Sequence, residues 1–145
     1  SGDHAIEIWG DGKQTRSFMY IDDCLKGTQM ILHSDCLEPL NLGSNELVTI
    51  NQLVDIVEDI AGIKLDRKYN LDAPKGVNGR NSDNDLIQER LGWAPSIRLR
   101  DGMEKTYNWI YDEYMKKYKG KLGPRAAAPK GAHVRDKELS VELGG

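Results

Sequence analysis

The sequence predicts an α/β fold of short strands and about four helices. Alternating apolar and charged residues in segment 5–9 (Ala-Ile-Glu-Ile-Trp) have the period of a half-buried strand. An apolar stripe with the spacing i, i+3, i+4, i+7 is typical of a helix that packs on a core; it consists of Leu53, Ile56, Val57 and Ile60. With 145 residues and 39% hydrophobic residues, the chain has room for one domain with a modest core.

The first third of the chain alternates strand and helix signals. Gly10-Asp11-Gly12 predicts a turn after the first strand, and residues 14–21 read as a second, extended segment. Asp22 or Asp23 is a suitable N-cap for a helix over about 23–33. The residues expected on its inward face are Leu25, Thr28, Ile31 and Leu32.

The middle of the chain predicts a strand, a helix and a further strand. Residues 40–43 are expected to form a short strand that ends in a turn. Thr49 is the expected cap of a helix over about 50–61, and Gly62 is expected to end it. Residues 64–69 follow as a strand.

The last third predicts a loop, two helices and a tail. The loop at 72–76 leads to a short helix over 85–91, with Leu86, Ile87 and Leu91 inward. A final helix is expected from Asp101 or Gly102 to about 118, with a stripe of Met103, Tyr107, Ile110 and Tyr114. Beyond it the sequence loses its period. We therefore divide the chain into an ordered part, 1–119, and a mostly disordered tail, 120–145.

The segment Gly-Arg-Asn-Ser-Asp-Asn at 79–84 predicts an anion site. Glycine frees the backbone, and the planar cation of Arg80 can bind a phosphate with two parallel hydrogen bonds. Ser82 or Asp83 can start a helix, whose N-terminal amides also favour negative charge. The interpretation is that Arg80 holds the diphosphate of a nucleotide-linked ligand.

Other common functional signatures are missing. A net charge of −3 gives no electrostatic reason to expect nucleic acid, and no apolar run is long enough to span a membrane. There is no signal peptide pattern, glycine-rich dinucleotide fingerprint or P-loop. The three histidines are scattered and expected at the surface. Cys24 and Cys36 have no metal-ligand spacing; we expect buried free thiols, which fits the reducing cytoplasm.

Four segments in order resemble the extended short-chain dehydrogenases/reductases, in the group of nucleotide-sugar epimerases and dehydratases. They are 9–23 (Trp-Gly-Asp-Gly-Lys-Gln-Thr-Arg-Ser-Phe-Met-Tyr-Ile-Asp-Asp), 39–44 (Pro-Leu-Asn-Leu-Gly-Ser), 79–83 (Gly-Arg-Asn-Ser-Asp) and 91–95 (Leu-Gly-Trp-Ala-Pro). Each is weak alone, but the ordered set is specific and spans about 5–118. The Gln-Thr-Arg-Ser-Phe and Gly-Arg-Asn-Ser-Asp-Asn versions are most similar to the GDP-mannose 3,5-epimerase family.

The resemblance implies a role for particular residues. By position, Gln14, Thr15 and Arg16 match substrate contacts, and Arg80 matches the arginine on the nucleotide diphosphate. Family members bind NAD in an N-terminal Rossmann-type domain and the sugar nucleotide, here GDP-mannose, in the C-terminal portion. NAD oxidises the sugar transiently at C4, so the adjacent positions C3 and C5 can exchange protons through acid–base groups. The family is commonly dimeric.

The chain also departs from the family pattern. Its Tyr-x-x-x-Lys pair, its NAD loop and its proton-transferring groups match nothing here: Tyr107, Tyr111 and Tyr114 each lack a lysine four residues on. We expect a C-terminal substrate-binding portion that does not turn over alone and exposes apolar faces. The alternatives are a non-catalytic binding or interaction module of the same fold, and part of another nucleotide-sugar epimerase or dehydratase that takes UDP or dTDP.

Overall fold

Five short strands and four helices make up the part of the chain that the computed structural model describes, residues 4–74 and 76–118. In chain order the elements are β1 (Ala5–Trp9), β2 (Thr15–Ser17), α1 (Ile21–Leu32), β3 (Leu47–Thr49), α2 (Ile50–Ala61), β4 (Asp66–Asn70), β5 (Gly79–Arg80), α3 (Asp85–Leu91) and α4 (Leu99–Tyr118). The α/β prediction with about four helices is confirmed. The predicted tail at 120–145, and with it the division at residue 119, lies outside the described residues.

The strands form two small sheets. In one, β1 pairs with β4 in parallel, with Ala5 opposite Asp66 and Trp9 opposite Asn70. In the other, β2 lies between β3 and β5; it is antiparallel to β3 and parallel to β5. Because β3 runs directly into α2, the second sheet is attached to that helix.

Local signals place α2 where the sequence predicts it. The Thr49 hydroxyl accepts a hydrogen bond from the Gln52 amide at 3.1 Å, and the Gln52 side chain accepts one from the Thr49 amide at 2.8 Å. This reciprocal capping box satisfies two amides that the first turn leaves without partners. Gly62 ends the helix in the left-handed conformation, with φ at 65°.

The beginning and inward face of α1 differ from the prediction. Tyr20, not Asp22 or Asp23, is the N-cap residue. Asp23 lies in the first turn, is 5% exposed, and accepts hydrogen bonds from the Ser96 and Ile97 amides at 2.8 and 2.7 Å. Leu25 and Leu32 are 56% and 76% exposed. The stripe prediction is therefore wrong for these leucines, because α1 meets its neighbours through a different face.

Gly27 shows which face of α1 is packed. A Cβ atom at this position would lie 2.5 Å from a methyl group of Leu42 and 2.6 Å from the ring of Trp93. The close approach of that ring needs a residue without a side chain in the middle of the helix. Thr28, which was also predicted inward, is exposed, while Ile31 is half-buried.

Three other boundaries were wrong. Residues 40–43 form no strand, and β3 forms a few residues later. Arg80 lies in β5, where a loop was expected. The helix α4 begins at Leu99, two residues before Asp101, because Leu99 is buried and its amide donates to Glu46 at 2.8 Å.

The inward stripes of α3 and α4 are only partly confirmed. In α3, Ile87 is buried and Leu91 half-buried, but Leu86 is exposed. In α4, Ile110 is exposed, whereas the other predicted stripe residues are half-buried: Met103, Tyr107 and Tyr114. Periodicity thus indicates the helices correctly without deciding how deeply each position is covered.

A buried carboxylate joins α2 to the strand that follows it. Glu58 is 2% exposed and accepts hydrogen bonds from Lys64 Nζ at 2.8 Å, the Leu65 amide at 3.2 Å and Arg67 Nη2 at 2.9 Å. These partners, Lys64 foremost, lower the pKa of Glu58 from 4.5 to about 2. Since every partner lies in segment 64–67, the charge orients β4 against α2.

The buried apolar core is small, and considerable apolar surface remains exposed. Its buried members are Ile8, Val54, Ile60, Ile87 and Leu99. Large exposed apolar side chains occur on several elements, including Trp9, Ile21, Leu25, Leu32 and Trp109. The expectation of exposed apolar faces is confirmed. Cys24 and Cys36 are free but only half-buried, so the expectation of buried thiols was wrong.

Among the described residues, none of the helices has both the length and the apolar character needed to cross a lipid bilayer.

Candidate functional site

The β2–β5 pair brings the residues of the predicted site together. Thr15 lies opposite Gly79, and Arg16 lies opposite Arg80, in parallel register. Neighbouring strands are about 4.8 Å apart, and opposed residues point to the same face of a sheet. The two arginines, which are far apart in the sequence, therefore stand side by side on one face.

The opposed arginines make this face cationic. Arg16 is half-buried, and its Nη1 donates to the Thr15 carbonyl at 2.7 Å. Arg80 is exposed and forms no hydrogen bond or ion pair through its side chain with another described residue. Two adjacent guanidiniums can bind phosphate oxygens with charge-assisted hydrogen bonds, so the arrangement favours a phosphate-bearing ligand.

A glycine turn and the start of α2 position Gln14 and the strand β2 that follows it with Thr15 and Arg16. Gly10 and Gly12 adopt positive φ angles of 83° and 71°, which lets the chain reverse between β1 and β2. The Ile50 amide, at the first residue of α2, donates to the Gln14 carbonyl at 3.1 Å. The site strand is thus tied to a stable, well-capped helix.

The Gln14 side chain has one satisfied and one unsatisfied group. Its Nε2 donates to the Trp9 carbonyl at 2.8 Å, while its Oε1 is buried and has no hydrogen-bond partner among the described residues. Buried polar atoms normally have a partner. Gln14 is therefore held in place by the end of β1 and keeps one acceptor for a further donor.

Thr15 and Arg16 both contact the segment that precedes and begins β5. The Thr15 amide donates to the Asn78 carbonyl at 2.8 Å. A Cβ atom at Gly79 would lie 2.5 Å from the Thr15 hydroxyl, so the missing side chain at 79 leaves room for that group. A Cβ atom at Gly76 would lie 3.5 Å from Arg16 Nη2, which places the Arg16 guanidinium against this loop.

The helix after Arg80 does not offer the amides that the sequence suggested. Asn84, rather than Ser82 or Asp83, is the N-cap residue of α3. The Asp83 carboxylate accepts from the Asp85 amide at 3.0 Å. Two acidic side chains therefore stand at this helix end, where they compete with any phosphate. The positive charge of the face comes from the arginines and not from the helix.

Two asparagines to which the sequence patterns assigned no role support the site. Asn51 stabilises the glycine turn between β1 and β2. Its amide donates to the Gly12 carbonyl at 3.0 Å, and its Nδ2 donates to the Asp11 carbonyl at 3.3 Å. Asn84 donates through Nδ2 to the Gly43 carbonyl at 2.9 Å. The related signals in the sequence are Gly12 and Gly43, which pack against Asn51 and Ser82 respectively, and the segment 79–84, of which Asn84 is the last residue.

The described residues offer neither a metal centre nor a dinucleotide-binding turn. They contain no cluster of His, Cys, Asp and Glu that could hold a metal ion. Neither sheet contains a glycine-rich turn between a parallel strand and a helix, so the described residues do not form a dinucleotide site. What the site can do chemically is bind and orient an anionic, polar ligand.

Sequence comparisons show that the chain is similar to nucleotide-sugar enzymes. The family model described as GDP-mannose 4,6 dehydratase matches residues 2–106. A GDP-mannose 3,5-epimerase of Arabidopsis thaliana is 44% identical over 139 residues, which are 96% of this chain and 36% of that protein. GDP-mannose 3,5-epimerase 1 of Oryza sativa subsp. indica is 46% identical over 111 residues, 77% of this chain and 29% of that protein. The chain spans about a third of the length of these relatives.

Solved structures with a similar fold include epimerases that act on other nucleotide sugars. UDP-glucose 4-epimerase of Thermotoga maritima, solved with UDP-glucose, has a TM-score of 0.71 and 27% identity over 76% of this chain and 36% of that one. UDP-glucuronic acid 4-epimerase of Bacillus cereus, solved with UDP-glucuronic acid and NAD, has a TM-score of 0.70 and 31% identity over the same shares. The chain belongs to the extended short-chain dehydrogenases/reductases, in the family described as GDP-mannose 4,6 dehydratase.

Proposed function

We propose that this chain is the sugar-nucleotide-binding part of an NAD-dependent epimerase that converts GDP-mannose to GDP-L-galactose. The observation that carries the proposal is the parallel β2–β5 register, which sets Arg16 beside Arg80. A diphosphate carries the negative charge that two adjacent guanidiniums can bind with charge-assisted hydrogen bonds. The similarity to GDP-mannose 3,5-epimerases supports GDP-mannose as the ligand.

Each residue of the site has a distinct role in this proposal. Arg80, exposed at the end of β5, binds the diphosphate, and Arg16 binds a phosphate or the sugar. Gln14 and Thr15 make polar contacts with the sugar; the unsatisfied Oε1 of Gln14 can accept from a sugar hydroxyl after a small side-chain movement. Together they orient the sugar for chemistry on its ring.

In the intact parent enzyme of this proposal, NAD would supply the reversible oxidation at C4 that makes proton exchange at C3 and C5 possible. The described residues do not fit NAD, since they lack its glycine-rich turn, and the sequence has no Tyr-x-x-x-Lys. The contribution of this chain is therefore binding and orientation. We further propose a cytoplasmic location, consistent with the free thiols of Cys24 and Cys36, and a homodimeric parent enzyme.

A second candidate ligand is a UDP-sugar, because both solved structures described above contain one. The two candidates share the diphosphate and differ in the base. Calorimetric titration of the chain with GDP-mannose, UDP-glucose and GDP separates them. Tighter binding of both guanine nucleotides than of UDP-glucose supports the proposal, and the reverse order supports the alternative.

The variant Arg80→Ala tests the binding role directly. Removing hydrogen bonds to a charged group costs ~1.5–3 kcal/mol, so we expect a loss of affinity for GDP-mannose of about tenfold to a hundredfold. Arg98→Ala is the matched control, because Arg98 is also exposed but precedes α4, outside the site. Unchanged affinity in a folded Arg80→Ala protein would end the assignment.

A further inference from the structure

Arg80 lies on a very short strand, so its position depends on the segments on either side of that strand. β5 consists of Gly79 and Arg80 alone, and within the part of the chain that the structure describes it pairs only with β2. The described residues just before it, from Gly76 to Asn78, are exposed. A strand of two residues with an exposed approach gives little restraint by itself. Upstream, the Thr15 amide holds the Asn78 carbonyl at 2.8 Å, and a second restraint on the downstream side of Arg80 would fix the strand at both ends.

The downstream side is fastened by a compact set of hydrogen bonds, which we call the Asn84 latch. Asn84 Nδ2 donates to the Gly43 carbonyl at 2.9 Å, and the Ser82 hydroxyl donates to Asn84 Oδ1 at 2.8 Å. The Ser82 amide also lies 3.4 Å from the Ser44 carbonyl, to which it donates. One asparagine side chain thus joins segment 82–84 to a loop about forty residues earlier in the sequence.

The loop that receives the latch is itself fixed. Ser44 is buried, and its hydroxyl accepts from the Glu46 amide at 3.0 Å. Glu46 Oε2 in turn accepts from the Leu99 amide at the buried start of α4. Gly43 allows the close approach, because a Cβ atom there would lie 2.8 Å from the Ser82 Cβ. The latch therefore connects the segment after Arg80 to the helical frame of the protein.

We propose that Asn84 is a positioning residue for Arg80, an inference that rests on the proposed diphosphate role of Arg80. Its amide group holds both Ser82 and Gly43, so it fixes the chain four residues after the guanidinium-bearing position. A misplaced guanidinium loses the two-bond geometry with phosphate oxygens. Asn84 acts on ligand affinity through Arg80 and makes no contact with the ligand.

A double-mutant cycle tests this mechanism. We expect Asn84→Ala to weaken binding of GDP-mannose to the full chain about fivefold, equivalent to ~1 kcal/mol. In the Arg80→Ala background the same substitution is expected to change affinity by less than about twofold, since a positioning effect needs the residue that is positioned. Titration by fluorescence anisotropy, with a fluorescent GDP displaced by GDP-mannose, measures all four proteins.

The outcomes separate this inference from the proposed function. An equal loss in both backgrounds, or unchanged affinity in folded Asn84→Ala, overturns the latch while leaving Arg80 in its role. Unchanged affinity in Arg80→Ala overturns the proposed function and this inference with it. Asn108→Ala, at a half-buried asparagine of α4, controls for the loss of an asparagine elsewhere and is expected to keep full affinity.

Hydrogen exchange gives a second measurement that needs no ligand. In Asn84→Ala, peptides that cover 79–82 are expected to exchange faster, while α2 keeps its protection. If Asn84→Ala does not fold, Ser82→Ala removes only the bond to Asn84 Oδ1, and the same local increase is expected. Unchanged exchange at 79–82 in the folded variant contradicts the inference.

Discussion

The variant Gly79→Ala is a sensitive probe of the site, because the side chain added at residue 79 displaces the side chain of Thr15. The added Cβ would lie 2.5 Å from the Thr15 hydroxyl, closer than real Cβ contacts allow, and 3.9 Å from the Thr15 Cβ, which is an ordinary distance. The clash is therefore with the hydroxyl alone. Rotation of the Thr15 side chain relieves it and moves that hydroxyl from its position beside the Asn78 carbonyl, where the proposed function uses it as a polar contact with the sugar.

Gly79→Ala has two opposite effects on the free energy of unfolding, and these effects nearly cancel. Replacing glycine by alanine reduces the entropy of the unfolded chain and stabilises by ~0.4–1 kcal/mol. Forcing threonine out of its preferred rotamer costs ~0.5–1.5 kcal/mol. The net change in the free energy of unfolding is then within ~1 kcal/mol. Affinity, in contrast, loses a neutral hydrogen bond worth ~0.5–1.5 kcal/mol, which is about two- to twelvefold.

Calorimetric titration with GDP-mannose and thermal unfolding of Gly79→Ala measure both quantities. Thr15→Ala is the companion variant, because it removes the hydroxyl and with it the clash. We expect Thr15→Ala and Gly79→Ala to weaken binding by similar factors, and the double variant to bind no more weakly than Thr15→Ala. Full affinity in Gly79→Ala, or an additional loss of the same size in the Thr15→Ala background, would refute the reasoning.

Two further predictions concern stability and turnover. The pKa of Glu58 is lowered from 4.5 to about 2 in the folded protein, so its stabilisation is complete above about pH 4.5 and is lost as the pH falls toward 2. Urea unfolding across this range should show that Glu58→Gln is less stable than the unsubstituted protein at neutral pH and that its free energy of unfolding falls less on acidification. Parallel pH profiles of the two proteins would contradict this. The purified 145-residue chain with added NAD should bind GDP-mannose but leave it unchanged, since it lacks the Tyr-x-x-x-Lys pair; an epimerised sugar nucleotide detected by chromatography would overturn that prediction.

The elements that the sequence predicted well are those that local interactions define. α2 carries its own stripe, its own Thr49–Gln52 capping box and its own terminal Gly62, all within a few residues. β1 likewise shows its alternation within one short segment. Their boundaries depend on neighbours along the chain, which a sequence displays directly.

The face of α1 could not be predicted in the same way. Its leucines have helical spacing, yet Gly27 and Asp23 are the buried positions. Asp23 is buried because it receives the amides of Ser96 and Ile97, more than seventy residues later in the chain. A buried carboxylate that accepts two hydrogen bonds looks like a surface residue until its partners are known.

For the site, the sequence by itself determined the residue types: two arginines, a glutamine, a threonine and glycines at the turns, in an order that resembles a known family. The tertiary structure decided that Arg16 and Arg80 stand side by side and that the amides of α3 contribute little. The physical reason is that a two-residue strand has no detectable period, and its parallel pairing with β2 joins positions more than sixty residues apart. Such a pairing becomes visible only when the chain has folded.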